Sequence, residues 1–294
     1  MNNSKVTELT PPAVRSDGGP PRQSRSQIFP VVIAMGIVVS SLHALFADDP
    51  YRGLAQETAL AAVAQDVFSV VVATLLLSLV RRTSARAHVV RLGLLAYVAY
   101  SYAIYLIGVP MNRMFLVYVV LVMVSVGALL DGLLRLRPAA WPRVASRRLE
   151  RGTGWMLVVV AALFAGLWLS VLLPFAFGGA APSPAGPGGV AYPVYILDLV
   201  VVLPCIAAVG ALLLRQQPIA GPLATVALIK IVTLFAALWI GVIAGYIDDG
   251  HVTLNADAGP SLLLLVISVA LARKWLRALS PDERAYVRPA LWAA

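Results

Sequence analysis

Three ionisable side chains sit inside long apolar stretches of this chain: Asp66, Asp198 and Lys230. Hydrocarbon cannot solvate a charge, so a group so placed is costly and is by default a candidate for function. At 1.5 Å per helical residue, Asp66 lies about 13 Å below one boundary of its stretch and Asp198 about 8 Å below the same boundary. Lys230 lies near the middle of its own stretch, counted from the opposite end. A lysine stem spans several ångströms, so Lys230 can reach either acid if the helices are neighbours. Ionised together, the three would leave one net negative charge in hydrocarbon, which is the electrostatic form of a proton relay or a cation site. The structural alternative is an ion pair that locks three helices together.

Other polar residues at membrane depth extend the pattern. Tyr97, Ser101, Tyr105 and Gly108 share one helical stripe, with Tyr100 and Tyr102 on other faces. Each buried hydroxyl needs a partner. The stripe is therefore expected either to line a polar cavity beside Asp66 or to bond neighbouring backbone. Pro204, inside an apolar stretch and shortly after Asp198, removes a helical hydrogen bond and predicts a kink, as in the discontinuous helices of transporter sites. Asp131 and Arg135 have the spacing of a helical ion pair, a structural role. Arg113 suits an interface anchor better than an anion ligand. Ala237, Gly241 and Gly245 place small residues every four positions and predict close helix packing.

The elements that must position these groups follow from composition. Of 294 residues, 60% are hydrophobic and 13% charged, and the mean hydropathy is +0.85. A soluble domain is about 45–50% apolar and about 25% charged. The excess falls in blocks long enough to cross about 30 Å of hydrocarbon as helices: residues 28–47, 57–80, 90–109, 114–134, 153–176, 193–214, 219–246 and 259–279. The expected fold is an all-α polytopic bundle of about eight spans over 28–279. A disordered tail (1–27), rich in proline, glycine and serine, precedes it, and a short interfacial tail (280–294) follows. There Ser280-Pro281-Asp282-Glu283 has the form of a helix start.

Arginine and lysine placement orients the bundle. Of 23 basic residues, 20 fall in the N-terminal tail, the second, fourth and sixth connections and the C-terminal end. The opposite side holds only Arg52 and Arg113 and collects Asp48, Asp49, Glu57, Asp248, Asp249 and Asp257. By the positive-inside rule both termini are expected in the cytoplasm, in a plasma or inner membrane. The arginine-rich stretch 135–151 is expected to meet anionic headgroups. Reading the first block as a cleaved leader would leave seven spans, but Leu42 or Leu45 would then occupy a position that favours small residues.

The uncharged linker 178–192 separates two groups of four spans. Asp66 matches Asp198, Ile107-Gly108-Val109 matches Ile240-Gly241-Val242, and Arg81 matches Arg215, at offsets of 132 to 134. These correspondences permit a parallel 4+4 repeat.

Gln65-Asp66 with its apolar continuation, Tyr97 through Tyr105, and Leu116-Val117-Tyr118-Val119 resemble a family of prokaryotic multi-pass membrane proteins whose role is unassigned. The likeness covers spans two to four. It implies an integral membrane fold and no particular activity.

The leading expectation is a small-molecule or ion/proton-coupled carrier, with Asp66, Asp198, Lys230, Tyr97, Ser101 and Tyr105 forming a site near the midplane. A non-catalytic subunit or assembly partner of a membrane complex is the second reading, and an intramembrane lipid-modifying enzyme the third. Against the enzyme, no His-Asp or His-Glu constellation, activated serine motif or phosphate loop is visible. One cysteine and three scattered histidines give no metal-ligand spacing, so no metal or cofactor is expected. The basic residues flank apolar blocks, so neither is nucleic acid. A homo-oligomer remains open.

Overall fold

The computed structural model describes residues 28–47, 50–82, 84–136, 145–182, 191–249 and 258–279. Among them, eight helices are long and apolar enough to span a membrane, and the chain is an all-helical, multi-pass bundle. They are α1 (Ile28–Phe46), α2 (Gln56–Leu79), α3 (Ala85–Gly108), α4 (Phe115–Leu134), α5 (Arg147–Ala176), α6 (Pro193–Leu214), α7 (Ala220–Asp249) and α8 (Ala258–Ala278). Both expected tails, most of the arginine-rich connection and most of the uncharged linker lie outside the described residues.

Where the helices outrun the apolar blocks, capping explains it. Helix α3 starts at Ala85 rather than residue 90 because the Ser84 side chain accepts from the Ala87 amide at 3.2 Å. Helix α5 starts at Arg147 rather than residue 153, with the Ser146 side chain accepting from the Leu149 amide at 3.3 Å. A serine cap satisfies one of the orphan amides of a first turn. Basic turns can therefore extend past the hydrocarbon into the headgroup layer.

Where the kink is expected, helix α6 carries a π turn. Residues Asp198–Val202 form a π turn, and the Leu203 amide donates to the Asp198 carbonyl, one residue further back than in an α-helix. Pro204 follows directly. It offers no amide and its ring crowds the carbonyl four residues back, so the backbone widens into the π turn ahead of it. Such π turns recur at functional sites.

Helix pairings repeat between the halves. Helix α1 packs on α2 as α5 does on α6, α3 on α4 as α7 on α8, and α2 on α3 as α6 on α7. Across the halves α3 packs on α7, α2 reaches α7, and α3 reaches the start of α6. Two parallel four-helix units related by an axis between α3 and α7 would pack this way. The first half is further closed by α1 against α4. In the second half the corresponding helices, α5 and α8, are joined by Trp275 Nε1 donating to Thr153 Oγ1 at 3.0 Å.

Helix α7 is the seam. Its Val226, Ile229 and Ala237 enter the core of the first half, while Ala224, Leu228, Ile231 and Phe235 enter that of the second. At the arginine-rich end, Arg86 ties the halves by donating to the Leu279 carbonyl at 3.0 Å.

Close packing falls at glycines other than the expected ones. A Cβ on Gly93 would lie 2.6 Å from the Ile229 side chain, so α3 and α7 meet there. Gly154 and Gly210 bring α5 and α6 backbone to backbone, and a Cβ on Gly210 would lie 2.8 Å from the Gly154 carbonyl oxygen. Gly241 and Gly245 have no neighbouring atom within 4 Å of a built Cβ. Gly241 and Gly245 are half-buried, and among the described residues the stripe Ala237-Gly241-Gly245 does not make a tight helix contact at those two positions.

Candidate functional site

The expected single site resolves into two centres on opposite sides of α3. Asp66, on α2, is 0% exposed. One carboxylate oxygen, Oδ2, accepts a hydrogen bond from the Tyr51 hydroxyl. Tyr51 belongs to the α1–α2 connection, which folds inward so that its ring is only 3% exposed. Burial, then the Asp66 carboxylate, push the Tyr51 hydroxyl up from its ordinary value, so it stays protonated and donating. The other carboxylate oxygen, Oδ1, has no hydrogen bond within 3.5 Å among the described residues.

Helices α1, α3 and α4 complete this centre. From α1, Ser41 Oγ donates to the Asp66 carbonyl at 3.0 Å. From α3, Tyr105 donates to the Ala62 carbonyl at 2.7 Å and packs edge-on against Tyr102 and, from α4, Tyr118, with ring centroids 5.5 and 5.4 Å away. Tyr51 closes the group at 6.0 Å from Tyr105. One turn toward the arginine-rich end, Gln65 Nε2 donates to the Tyr97 hydroxyl and to Ser101 Oγ at 3.3 Å. The stripe Tyr97-Ser101-Tyr105 therefore faces α2 as its spacing implied. Two of its members bond a side chain of α2, and Tyr105 bonds backbone.

The second centre surrounds Asp198 on the π turn of α6. Tyr100 donates to Asp198 Oδ1 at 2.9 Å, and Trp168 of α5 donates through Nε1 to Oδ2, also at 2.9 Å. Lys230 of α7 places its ammonium over the Tyr100 ring, 4.0 Å from the centroid. The question of which acid Lys230 serves is answered by this placement, since its charge interacts with that of Asp198. Asp198 thus has two donors and a nearby cation. Asp66 has the Tyr51 hydroxyl on Oδ2, the Tyr105 hydroxyl close to its carboxylate and, among the described residues, no ion-pair partner.

Helix α3 joins the centres. Tyr97, Tyr102 and Tyr105 serve the Asp66 side, Tyr100 the Asp198 side, and all four are buried. Its last residue, Gly108, lets α6 approach, because a Cβ there would meet Pro193 Cγ at 2.5 Å.

Three further polar groups lie outside the two centres. Arg135 forms its ion pair with Asp131, one helical turn away. His88 shares a hydrogen bond with the Gly132 carbonyl at 3.0 Å, pinning α3 to α4. Arg113 is exposed in the α3–α4 hairpin. Tyr51, Trp168 and Gln65 were missed as site residues. Two had a signal: an aromatic residue with a polar atom in a connection or an apolar span needs a partner when buried. No three His, Cys, Asp or Glu side chains converge as metal ligands among the described residues. Compared with protein-family models, with curated proteins and with solved structures, the chain finds no match.

Proposed function

We propose that the protein is an ion- or proton-coupled carrier of a small solute, with Asp66 as the coupling group. The observation that carries this reading is the imbalance between the two acids. Asp198 is compensated by Tyr100, Trp168 and Lys230, the way a structural carboxylate is held. Asp66 is wholly buried, is met by tyrosine hydroxyls alone, and has no cation paired with it among the described residues. An uncompensated carboxylate in hydrocarbon is unfavourable by several kcal/mol. It is relieved by taking up positive charge, which is the step a coupled carrier repeats in each cycle. Helix α3 touches both centres and lies on the seam between the halves. It is therefore the element through which occupancy at Asp66 can bias their relative arrangement, as in repeat-built carriers.

The experiment is electrical. Purified protein is reconstituted into liposomes on a solid-supported membrane and challenged with amino acids, sugars, carboxylates and nucleosides under imposed ion or pH gradients. A solute-dependent, gradient-driven current that Asp66→Asn abolishes, with elution profile and melting temperature retained, supports the reading. No such current from the wild-type chain, or one that Asp66→Asn leaves intact, overturns it. Destabilisation by Asp66→Asn that Tyr51→Phe suppresses would assign the centre to assembly instead.

A further inference from the structure

At the arginine-rich end of the first half, the starts of α1 and α3 and the end of α4 enclose a cleft of about 40 Å³. A water needs about 10–15 Å³ of such space, so the cleft holds about three, roughly the bulk of a phosphate group. Its walls are sorted by depth. Arg91 and His88 of α3, with Asp131 and Arg135 of α4, line it near the helix ends. Leu95 and Ala128 line it deeper, about 6 Å beyond Arg91 and about 10 Å beyond Arg135 at 1.5 Å per residue. Phe29 and Pro30 close it from α1. Polar groups at headgroup depth above an apolar floor match a phospholipid, which carries its phosphate above its acyl chains.

The two arginines differ from others on this face. Arg81, Arg82, Arg147, Arg148 and Arg151 are exposed, as ordinary positive-inside residues are. Arg135 has only 12% of its side chain exposed and pairs with Asp131. Arg91 is half-buried, and its Nη2 donates to the Arg82 carbonyl at 3.1 Å. A guanidinium carries five N–H donors in a planar fork, so holding a carboxylate or carbonyl with one edge is compatible with binding phosphate oxygens with another.

We propose that this cleft binds the headgroup of an anionic, hydroxylated phospholipid of the cytoplasmic leaflet, the phosphatidylglycerol class. The site is independent of the carrier reading. With His88 counted as neutral, two arginines against one aspartate leave one positive charge in the cleft, which a monoanionic phosphodiester cancels and a zwitterionic lipid does not. Asp131 selects the rest of the headgroup. It is 8% exposed, and its Oδ1 has no hydrogen bond within 3.5 Å among the described residues. A buried acceptor is relieved by a donor, and a glycerol hydroxyl beside the phosphate supplies one without adding charge.

The test uses the full chain purified in detergent. Native mass spectrometry titrates it with phosphatidylglycerol, phosphatidylethanolamine and phosphatidylcholine of identical acyl chains, and melting is followed in the same lipids and in inorganic phosphate. Phosphatidylglycerol should bind about tenfold tighter than either zwitterionic lipid, the scale of one hydrogen bond to a charged group. It should also raise the melting temperature, by mass action on the folded state. Arg91→Gln should lose about tenfold in that affinity. Ala128→Leu fills the floor, leaves every charge in place and should weaken binding likewise. Arg148→Gln, exposed on the same face, should bind as wild type does. Equal binding of the three lipids, or a loss in Arg148→Gln as large as in Arg91→Gln, would overturn the site, since the arginine-rich face would then act as a whole. Preference for phosphatidylethanolamine would assign Asp131 to an ammonium and overturn the headgroup class. Stabilisation by inorganic phosphate equal to that by phosphatidylglycerol would make the ligand a free anion and overturn the lipid.

Discussion

Lys230 stands over the ring of Tyr100, its ammonium 4.0 Å from the centroid, while the hydroxyl of that same ring donates to Asp198. One aromatic side chain thus separates a buried cation from a buried anion and satisfies both. A desolvated cation–π contact is worth about 2 kcal/mol or more, and a hydrogen bond to a charged group about 1.5–3 kcal/mol. The arrangement joins α3, α6 and α7, the helices at the seam between the halves.

A double-mutant cycle measures that coupling. Tyr100→Phe keeps the ring and removes the donor, leaving Asp198 with Trp168 alone, and Lys230→Met removes the cation. Each should destabilise the purified chain, and the double variant should lose less than the two losses added. The expected coupling is about 1 kcal/mol, within the usual range for residues in contact. Additivity within about 0.5 kcal/mol in detergent unfolding would mean that the ring does not link the charges.

Tyr51 gives a pH dependence with a definite sign. Its hydroxyl is pushed up in the folded state by burial and by Asp66, whereas in the unfolded chain it titrates near its ordinary value of about 10. A group raised on folding contributes stability that is fully present below the unfolded value and is lost as pH rises above it. The Tyr51 contribution should therefore be level from neutral pH to about 10 and decline beyond it. In melting curves taken across alkaline pH, Tyr51→Phe should start lower than wild type, by about 1.5–3 kcal/mol for a lost bond to a charged group, and fall less steeply above that point. Parallel curves would show that the Tyr51 bond to Asp66 does not contribute in this way.

The span count and the burial of three ionisable groups within spans were legible in the sequence because both rest on properties that survive without tertiary information. Block length sets the spans, and charge within a block sets the candidates. The division into two centres was not legible. Helical period places Tyr100 off the stripe of Tyr97 and Tyr105, but it does not say which helix each face meets. Lys230 had two acids at similar depth, and only the packing of α3 on α7 and of α6 on α3 assigns it. Tyr51 was hidden for a different reason: it lies in a connection, and nothing local predicts that a connection folds inward. Likewise the small residues Gly241 and Gly245 carried the spacing of a helix contact, whereas the actual contact uses Gly93, which stands in no such stripe.

That last difference is testable with two alanines. A methyl at Gly93 would press on Ile229 Cβ and Cγ2, both 2.6 Å from the built Cβ, with the Val226 carbonyl oxygen at 3.1 Å. A branched side chain rooted in its own helix cannot swing clear, so α3 and α7 must separate. Gly93→Ala should destabilise by about 1–3 kcal/mol, the range for overpacking. Gly127→Ala, on α4 with no atom within 4 Å of the built Cβ, should be neutral or gain up to about 1 kcal/mol from helix propensity. Equal effects at the two positions in detergent unfolding would contradict the seam.

The orientation rests on arginine placement and can be checked with single cysteines. The native Cys205 is exposed on the outer surface of the bundle, so it is first replaced by alanine. Met111, in the α3–α4 hairpin, is 85% exposed, and Arg148, in the first turn of α5, is exposed at the opposite, arginine-rich end. With that end in the cytoplasm, a membrane-impermeant maleimide applied to intact cells should label Met111→Cys and spare Arg148→Cys. After the membrane is opened, both should react. The alternation of basic and acidic connections means one reversed result cannot be absorbed locally: eight helices joined in sequence flip together or not at all. Labelling of Arg148→Cys from outside would therefore invert every connection at once. Asp66 and Asp198, each nearer the arginine-poor boundary, would then be entered from the cytoplasm.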